Sequence, residues 1–283
     1  MRDVPPHKTS ARQRGRHDGK SDRLDSRSVA AEAQANPRLA RAFKHAVAAA
    51  PDSVRERLAL WHNARKSLTK IRVQLLGELD ALVQDLPEEL RAQLRPAKTV
   101  SARVNSLRHL DASGVADPTV VLRLRLIEHR VVMLRDVLEQ DRAAAAELAV
   151  LVEEANSTLT GLVGIAPRAA AEILVEVGDI RRFTEPGFAR FNGTAPIPAS
   201  SGEGGNAPVR HRLSRGGNRR LNAAIYRIAM IQLRFEPRAR QIHDQARMRG
   251  HTRREAMRIL KRNISNAIYR TMLRDVRRSD GLT

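Results

Sequence analysis

Two runs of apolar residues that recur at alternating steps of four and three constrain this chain more than any other feature in it. Val54, Leu58, Trp61, Arg65, Leu68, Arg72, Leu75, Leu79, Leu82 and Leu86 make the first, and only its two arginines break an apolar seam. Val120, Leu124, Ile127, Val131, Leu134, Leu138, Asp141, Ala145, Leu148 and Val152 make the second, with Asp141 the one exception. A spacing of this kind puts one continuous stripe on a long helix, which must be buried against another such stripe. Pro87 and Pro96 interrupt the pattern, and Asp111, Ser113, Gly114 and Pro118 mark a turn before the second run. A short helix fills the gap. The expectation is an antiparallel helical hairpin, or a stalk through which two chains pair, with the seam residues serving packing alone.

The flanks differ from this middle. Residues 1–27 are rich in Arg, His, Pro and Gly, with almost no apolar residue before Leu24, and read as a solvated arm. After Asn156 come glycine-punctuated short elements and then helices laden with arginine. Arg219 to Leu233 and Arg253 to Leu273 both carry Leu, Ile, Ala and Met at helical spacing, which predicts a small all-helical C-terminal domain beginning near 158. The fold class is therefore mainly α.

Charge narrows the partner. Lys and Arg number 51 against 31 Asp and Glu, a formal net charge of +20, so the natural partner is a polyanion. The excess is arginine, whose planar fork grips phosphate oxygens in pairs, and this favours nucleic acid over a lipid surface. With no cysteine there is no thiolate zinc site, and aromatics at 3% argue against a base-stacking platform. No apolar run reaches the roughly 18 residues of a membrane span and no leader pattern opens the chain, so a cytoplasmic protein without membrane contact is expected.

Three constellations can carry chemistry. Leu159 to Leu174, with Gly161, Gly164 and Arg168, resembles a helix-hairpin-helix, in which a tight turn aims helix N-terminal amides at a DNA phosphate; Ala166 replaces the second turn glycine. A plain packing turn is the other reading of the same residues. The second is a loop with Ser200 and Ser201 between Pro198-Ala199 and Gly202, followed by Arg210, His211, Arg212, Arg215, Asn218, Arg219 and Arg220. A serine on a mobile glycine loop facing guanidinium groups can attack a phosphodiester while the cations hold the charge that builds on phosphorus. A flexible Ser/Gly linker beside arginines has the same composition. His211 is either a proton shuttle to Ser200 or a surface side chain. The third is Asp22 and Asp25, three apart on one helical face, which can share a Mg²⁺ with other oxygens or act as capping and dipole partners. Beyond these, Arg253, Arg254, Arg258 and Arg262 suit phosphate contact and a solvated face equally.

The order of these parts resembles the insertion sequence 110 family of transposases. The likeness runs from about Gly19 to Val276 and is densest in Gly164-Ile165-Ala166-Pro167, Gly178-Asp179-Ile180, Arg182-Phe183, Pro198-Ala199-Ser200-Ser201-Gly202 and Arg215-Gly216-Gly217-Asn218. The resemblance implies a RuvC-like α/β front domain with an Asp-Glu-Asp-Asp metal site, coiled-coil helices, and a C-terminal serine transposase domain. On this chain those would be a remnant in 1–36, then 37–157, then 158–283. It implies Ser200 as nucleophile with Ser201 as fallback, and phosphate contacts from Gly164, Arg168, Arg210, Arg212, Arg215, Asn218, Arg219 and Arg220. Asp22 and Asp25 would be the last two Mg²⁺ ligands. It further implies DNA and a structured guide RNA as partners and a homo-oligomer through the long helices. The eighteen residues before Gly19 hold only Asp3 and Asp18 as acids, and the expectation is a truncated or decayed copy of the front domain, or a start placed too far downstream. Two functions follow: a recombinase that cleaves and rejoins DNA through serine, or a catalytically inactive nucleic-acid-binding remnant. A coiled-coil assembly protein with incidental charge is a third.

Overall fold

A computed structural model of the chain describes residues 22–37, 39, 53–94, 96–198, 211–212 and 216–281, together with Val4. These residues are mainly helical, as the periodicities require. They divide into two compact units, one formed by 59–150 and the other by 1–58 with 151–283.

The 59–150 unit is a helical hairpin. Helix α2 spans Val54–Gln84 and α5 spans Pro118–Glu154, and most of each lies in this unit; α1 is Asp22–Ala35. Pairing fixes the direction, because Arg65 meets Asp141, Glu78 meets Arg130 and Asp85 meets Arg123, so numbers rise along one helix as they fall along the other. The two runs are therefore antiparallel within one chain. Leu75, Leu79 and Leu86 meet Val120, Ile127, Val131 and Leu134 in a shared core. Two short helices, α3 (Glu88–Arg91) and α4 (Val100–Arg108), close its end by adding Leu90, Val104 and Leu107. Each buried leucine contributes roughly 1.5–3 kcal/mol, so this stripe supplies most of what orders the hairpin. Pro118 opens α5 at its first turn, where a missing N–H costs nothing, and the Asp117 carboxylate accepts from the Thr119 amide at 2.7 Å.

The other unit packs short helices around one apolar centre. After a 3₁₀ turn at Leu159–Gly161 come α6 (Pro167–Val177), a second 3₁₀ turn at Ile180–Arg182, and α7 (Glu185–Phe191). Three longer helices follow: α8 (Arg219–Phe235), α9 (Pro237–Met248) and α10 (Arg253–Ser279). Leu159, Ile173, Ile180, Phe188, Leu221, Ile225, Ile228 and Leu260 are fully enclosed. Phe183 packs on Phe188 and Phe191 with ring centres 5.8 and 4.8 Å apart, and the Arg182 guanidinium lies 4.3 Å over the Phe183 ring. The Tyr269 hydroxyl of α10 donates to the Phe183 carbonyl at 3.0 Å. Fewer than two turns further along α10 the buried Asp275 carboxylate accepts from the Thr158 amide and hydroxyl at 2.8 and 2.5 Å. Both contacts tie the turns to the longest helix of the unit. Among the described residues no helix is long and apolar enough to cross a membrane.

Candidate functional site

Two pieces of chain, 191–194 and 216–218, bracket the stretch that holds both serines, and the structure pins them together. Helix α7 starts on a Thr184 cap, whose hydroxyl accepts from the Gly187 amide at 3.2 Å, and it ends at Asn192. Gly193 has φ +72, which an L side chain rarely adopts, and turns the chain away. On the outgoing side Gly217 has φ +91, and a Cβ there would stand 2.5 Å from the Phe191 carbonyl oxygen and 2.9 Å from that of Arg190. Only glycine lets the two backbones come this close. The Asn218 amide then donates to the Phe191 carbonyl at 2.6 Å. Between these stems the strands β1 (Ile197–Pro198) and β2 (His211–Arg212) pair antiparallel, with Pro198 opposite His211. The result is a neck.

Polar side chains from α6, the end of α7, α8 and α10 line the neck. Asn192, fully buried, donates from Nδ2 to Ser265 Oγ of α10 at 2.7 Å, and its Oδ1 accepts from the Thr194 amide and hydroxyl at 3.1 and 2.6 Å. Asn222 of α8 donates to the Asn192 carbonyl at 2.7 Å and accepts from Lys261 Nζ at 2.6 Å. Burial holds the Lys261 ammonium below the ordinary lysine range. Asn218 caps α8 by accepting from the Leu221 amide at 3.0 Å, while its Nδ2 donates to Glu176 of α6 at 2.6 Å. Glu176 also takes Arg220 at 3.1 Å, and Glu172, one turn earlier, takes Arg227 at 2.5 Å. Two carboxylates of α6 thus hold two arginines of α8.

The expected site residues fall in three groups. Ser200, Ser201, Arg210 and Arg215 lie outside the described residues, as do the side chains of His211, Arg212, Asp22 and Asp25. Asp22 and Asp25 themselves are on the first turns of α1. No group of three or more His, Asp or Glu gathers as a metal cluster among the described residues. Asn218, Arg219 and Arg220 come together where α8 leaves the neck, the two arginines exposed on its first turn. Gly164, at φ +85, packs against α8, since a Cβ there would lie 3.3 Å from the Ile228 carbonyl oxygen and from Ile231. Arg168 is exposed on the first turn of α6.

The arginine series on α10 does not share one environment. Arg253 and Arg254 are exposed, whereas Arg258 and Arg262 are half-buried. Among the described residues the buried Nη1 of Arg262 has no hydrogen-bond partner, and burial, with Arg190 nearby, holds its guanidinium below the ordinary range against the pull of Glu185. Sequence reasoning missed Asn192, Asn222, Lys261, Ser265 and Glu176. One signal was available for Lys261: it falls on the stripe of Ala256, Leu260, Ile264 and Ile268, where a solvated lysine does not belong.

Comparison with known proteins bears on this neck directly. Residues 156–244 match the Transposase IS116/IS110/IS902 family. The chain is also 36% identical over 148 residues to the Insertion element IS110 uncharacterized 43.6 kDa protein of Streptomyces coelicolor (strain ATCC BAA-471 / A3(2) / M145). That match covers 50% of this chain and 35% of the relative, so the chain spans about a third of the protein it resembles. The matched family segment includes both stems of the neck, the serines between them and the whole of α6, α7 and α8.

Proposed function

We propose that the 151–283 part of this chain acts on DNA during transposition of an insertion element, with Ser200 as the nucleophile that cleaves and rejoins a strand. One observation carries the reading: the segment similar to insertion-element transposases is the segment in which two glycine-dependent stems are clamped around the serine-bearing stretch. A clamped neck fixes where a loop begins and ends, and so limits the positions its hydroxyl can take. In the proposed step Ser200 Oγ attacks phosphorus, the Oγ proton passes to solvent or a neighbouring base, and the leaving strand keeps the bond electrons on its oxygen. The phosphoserine link conserves the phosphodiester for rejoining. Arg210, Arg212, Arg215, Arg219 and Arg220 would meet the charge on phosphate, with the Gly164 turn and Arg168 as further backbone contacts.

The rest of the reading extends from this. Asp22 and Asp25 are two carboxylates, too few for Mg²⁺ by themselves, so a metal held there draws further ligands from elsewhere and no step above passes through it. A structured guide RNA suits the same positive charge. Assembly of chains through the hairpin unit belongs to the same reading.

The test is a denaturing gel of the chain incubated with duplex DNA of the element's own ends and its flanking RNA, beside Ser200→Ala and Ser201→Ala variants. A covalent adduct that disappears only with Ser200→Ala is expected. Binding with no adduct in any variant would leave a nucleic-acid-binding protein and remove the recombinase reading.

A further inference from the structure

The neck holds a cation that the proposed chemistry leaves unused. Lys261 lies in the middle of α10, 7% exposed, between the enclosed Leu260 and Ile264. Its ammonium donates to Asn222 Oδ1 at 2.6 Å and stands 5.8 Å from the centre of the Tyr226 ring. Among the described residues no carboxylate reaches it.

The orientation of Asn222 is fixed from its other end. Nδ2 donates to the Asn192 carbonyl at 2.7 Å, so Oδ1 must face the lysine, and the amide neutralises none of its charge. An ammonium has three N–H groups, and the amide oxygen takes one. Burying such a charge without a counter-charge is costly, and an anion that completed the site would offset that cost. The position supplies the reason for an anion. A Cβ on Gly193 would meet Asn222 Nδ2 and the Gly216 carbonyl oxygen, each at 3.0 Å, so Asn222 stands at the pinch where the two stems meet. Lys261 is one hydrogen bond behind it.

We infer that Lys261, presented by Asn222 at the pinch between Gly193 and Gly216, is a binding point for one phosphate of the DNA strand. This rests on the proposal that the unit takes DNA, but it does not require Ser200 to react. The Asn192 to Ser265 bond holds the pinch to α10, so phosphate, neck and helix move as one body when the strand is bound.

The experiment is a binding cycle with the full chain and a duplex oligonucleotide of the element's end, scanned with single neutral methylphosphonates. Lys261→Met and one methylphosphonate position should each weaken binding about tenfold, and the two together should weaken it no further. Lys261→Arg should keep most of the affinity. Lys261→Gln keeps a donor for Asn222 and removes only the charge, so it decides the matter where Lys261→Met melts early. Wild-type affinity in Lys261→Gln, or losses that multiply at every position scanned, would overturn the inference while leaving DNA binding intact. A wild-type chain that binds no duplex would remove the DNA proposal and this one together. An adduct missing from a chain that shows the coupling would remove only the serine reading.

Discussion

Arg65 and Asp141, two of the charged residues that interrupt the heptad seams, interrupt them opposite one another and pair. Arg65 donates from Nε and Nη2 to the same Asp141 oxygen at 2.9 and 2.7 Å, and Arg65 is only 5% exposed. The Arg123 and Asp85 pair, towards the other end of the hairpin, is 3.7 Å long and far more exposed. Breaking the enclosed pair strands a charge inside the hairpin, whereas breaking the exposed one returns it to water. Asp141→Ala should therefore cost about 3 kcal/mol in a denaturant melt and Asp85→Ala well under about 1 kcal/mol. Replacing both Arg65 and Asp141 by leucine should restore most of the stability. Equal losses for the two aspartates would show that burial does not set the cost.

The seams were legible because burial on a long helix has a period. Leu58, Leu75, Leu79, Leu86, Val120, Ile127, Val131, Leu134, Leu148 and Val152 are all buried as their spacing requires. Departures follow from geometry: a straight helix has 3.6 residues per turn, so a strict seven-residue stripe drifts, and Val137 and Ala144 are buried where 138 and 145 were expected. Trp61, expected on the same seam, stays 37% exposed. The neck was not legible in this way. Asn192, Asn222 and Ser265 acquire partners only when α7, α8 and α10 meet, and no local period announces that. The Gly216-Gly217-Asn218 run stands out in the sequence, but the close approach of Gly217 to Arg190 and Phe191 is a tertiary fact.

Two glycines should respond to alanine in opposite directions. At Gly217 the new Cβ would sit 2.5 Å from a backbone oxygen on a chain already at φ +91, so the stems must part. Gly217→Ala should lose roughly 2 kcal/mol or more and any activity that depends on the neck. Gly77 lies within α2 with open space around it, nothing standing inside 4 Å of an added methyl group, and Gly77→Ala should gain about 0.5–1 kcal/mol. Thermal melts of both variants check this, and a stable Gly217→Ala chain would mean that the stems are not clamped.

The start of α10 gives a pH-dependent test. Thr252 Oγ1 accepts from the Glu255 amide at 3.3 Å and Glu255 accepts from the Thr252 amide at 2.7 Å, a reciprocal cap. The Thr252 amide first, then its hydroxyl, and then Arg258 and His251, hold the Glu255 carboxyl below the usual glutamate range. A carboxyl lowered on folding adds stability that is complete above its unfolded range and fades as pH falls through the folded one. Glu255→Gln should therefore weaken the chain at neutral pH and less so in acid, with the two melting curves converging below the ordinary glutamate range. Curves that stay parallel would rule out this linkage. Thr252→Ala should cost about 1 kcal/mol at neutral pH.

Arg219 and Arg220 stand side by side on the first turn of α8, where the helix dipole disfavours cations, yet they should behave differently. Arg220 is bound to Glu176 at 3.1 Å, and the same carboxylate holds the Asn218 cap. Arg219 is exposed and has no carboxylate of its own among the described residues, so its charge is available to a phosphate. Arg219→Gln should leave the melting temperature unchanged or slightly raised. It should also reduce the slope of log affinity for duplex DNA against log salt by about 0.9, as expected when one phosphate is no longer neutralised. Arg220→Gln should instead lower the melting temperature by unbalancing Glu176, with a smaller change in slope. Titrations at several salt concentrations, run with melts on the same samples, separate the two. If Arg219→Gln leaves the slope unaltered, the exposed start of α8 faces solvent rather than DNA, and the phosphate contacts must be sought at Lys261 and beyond.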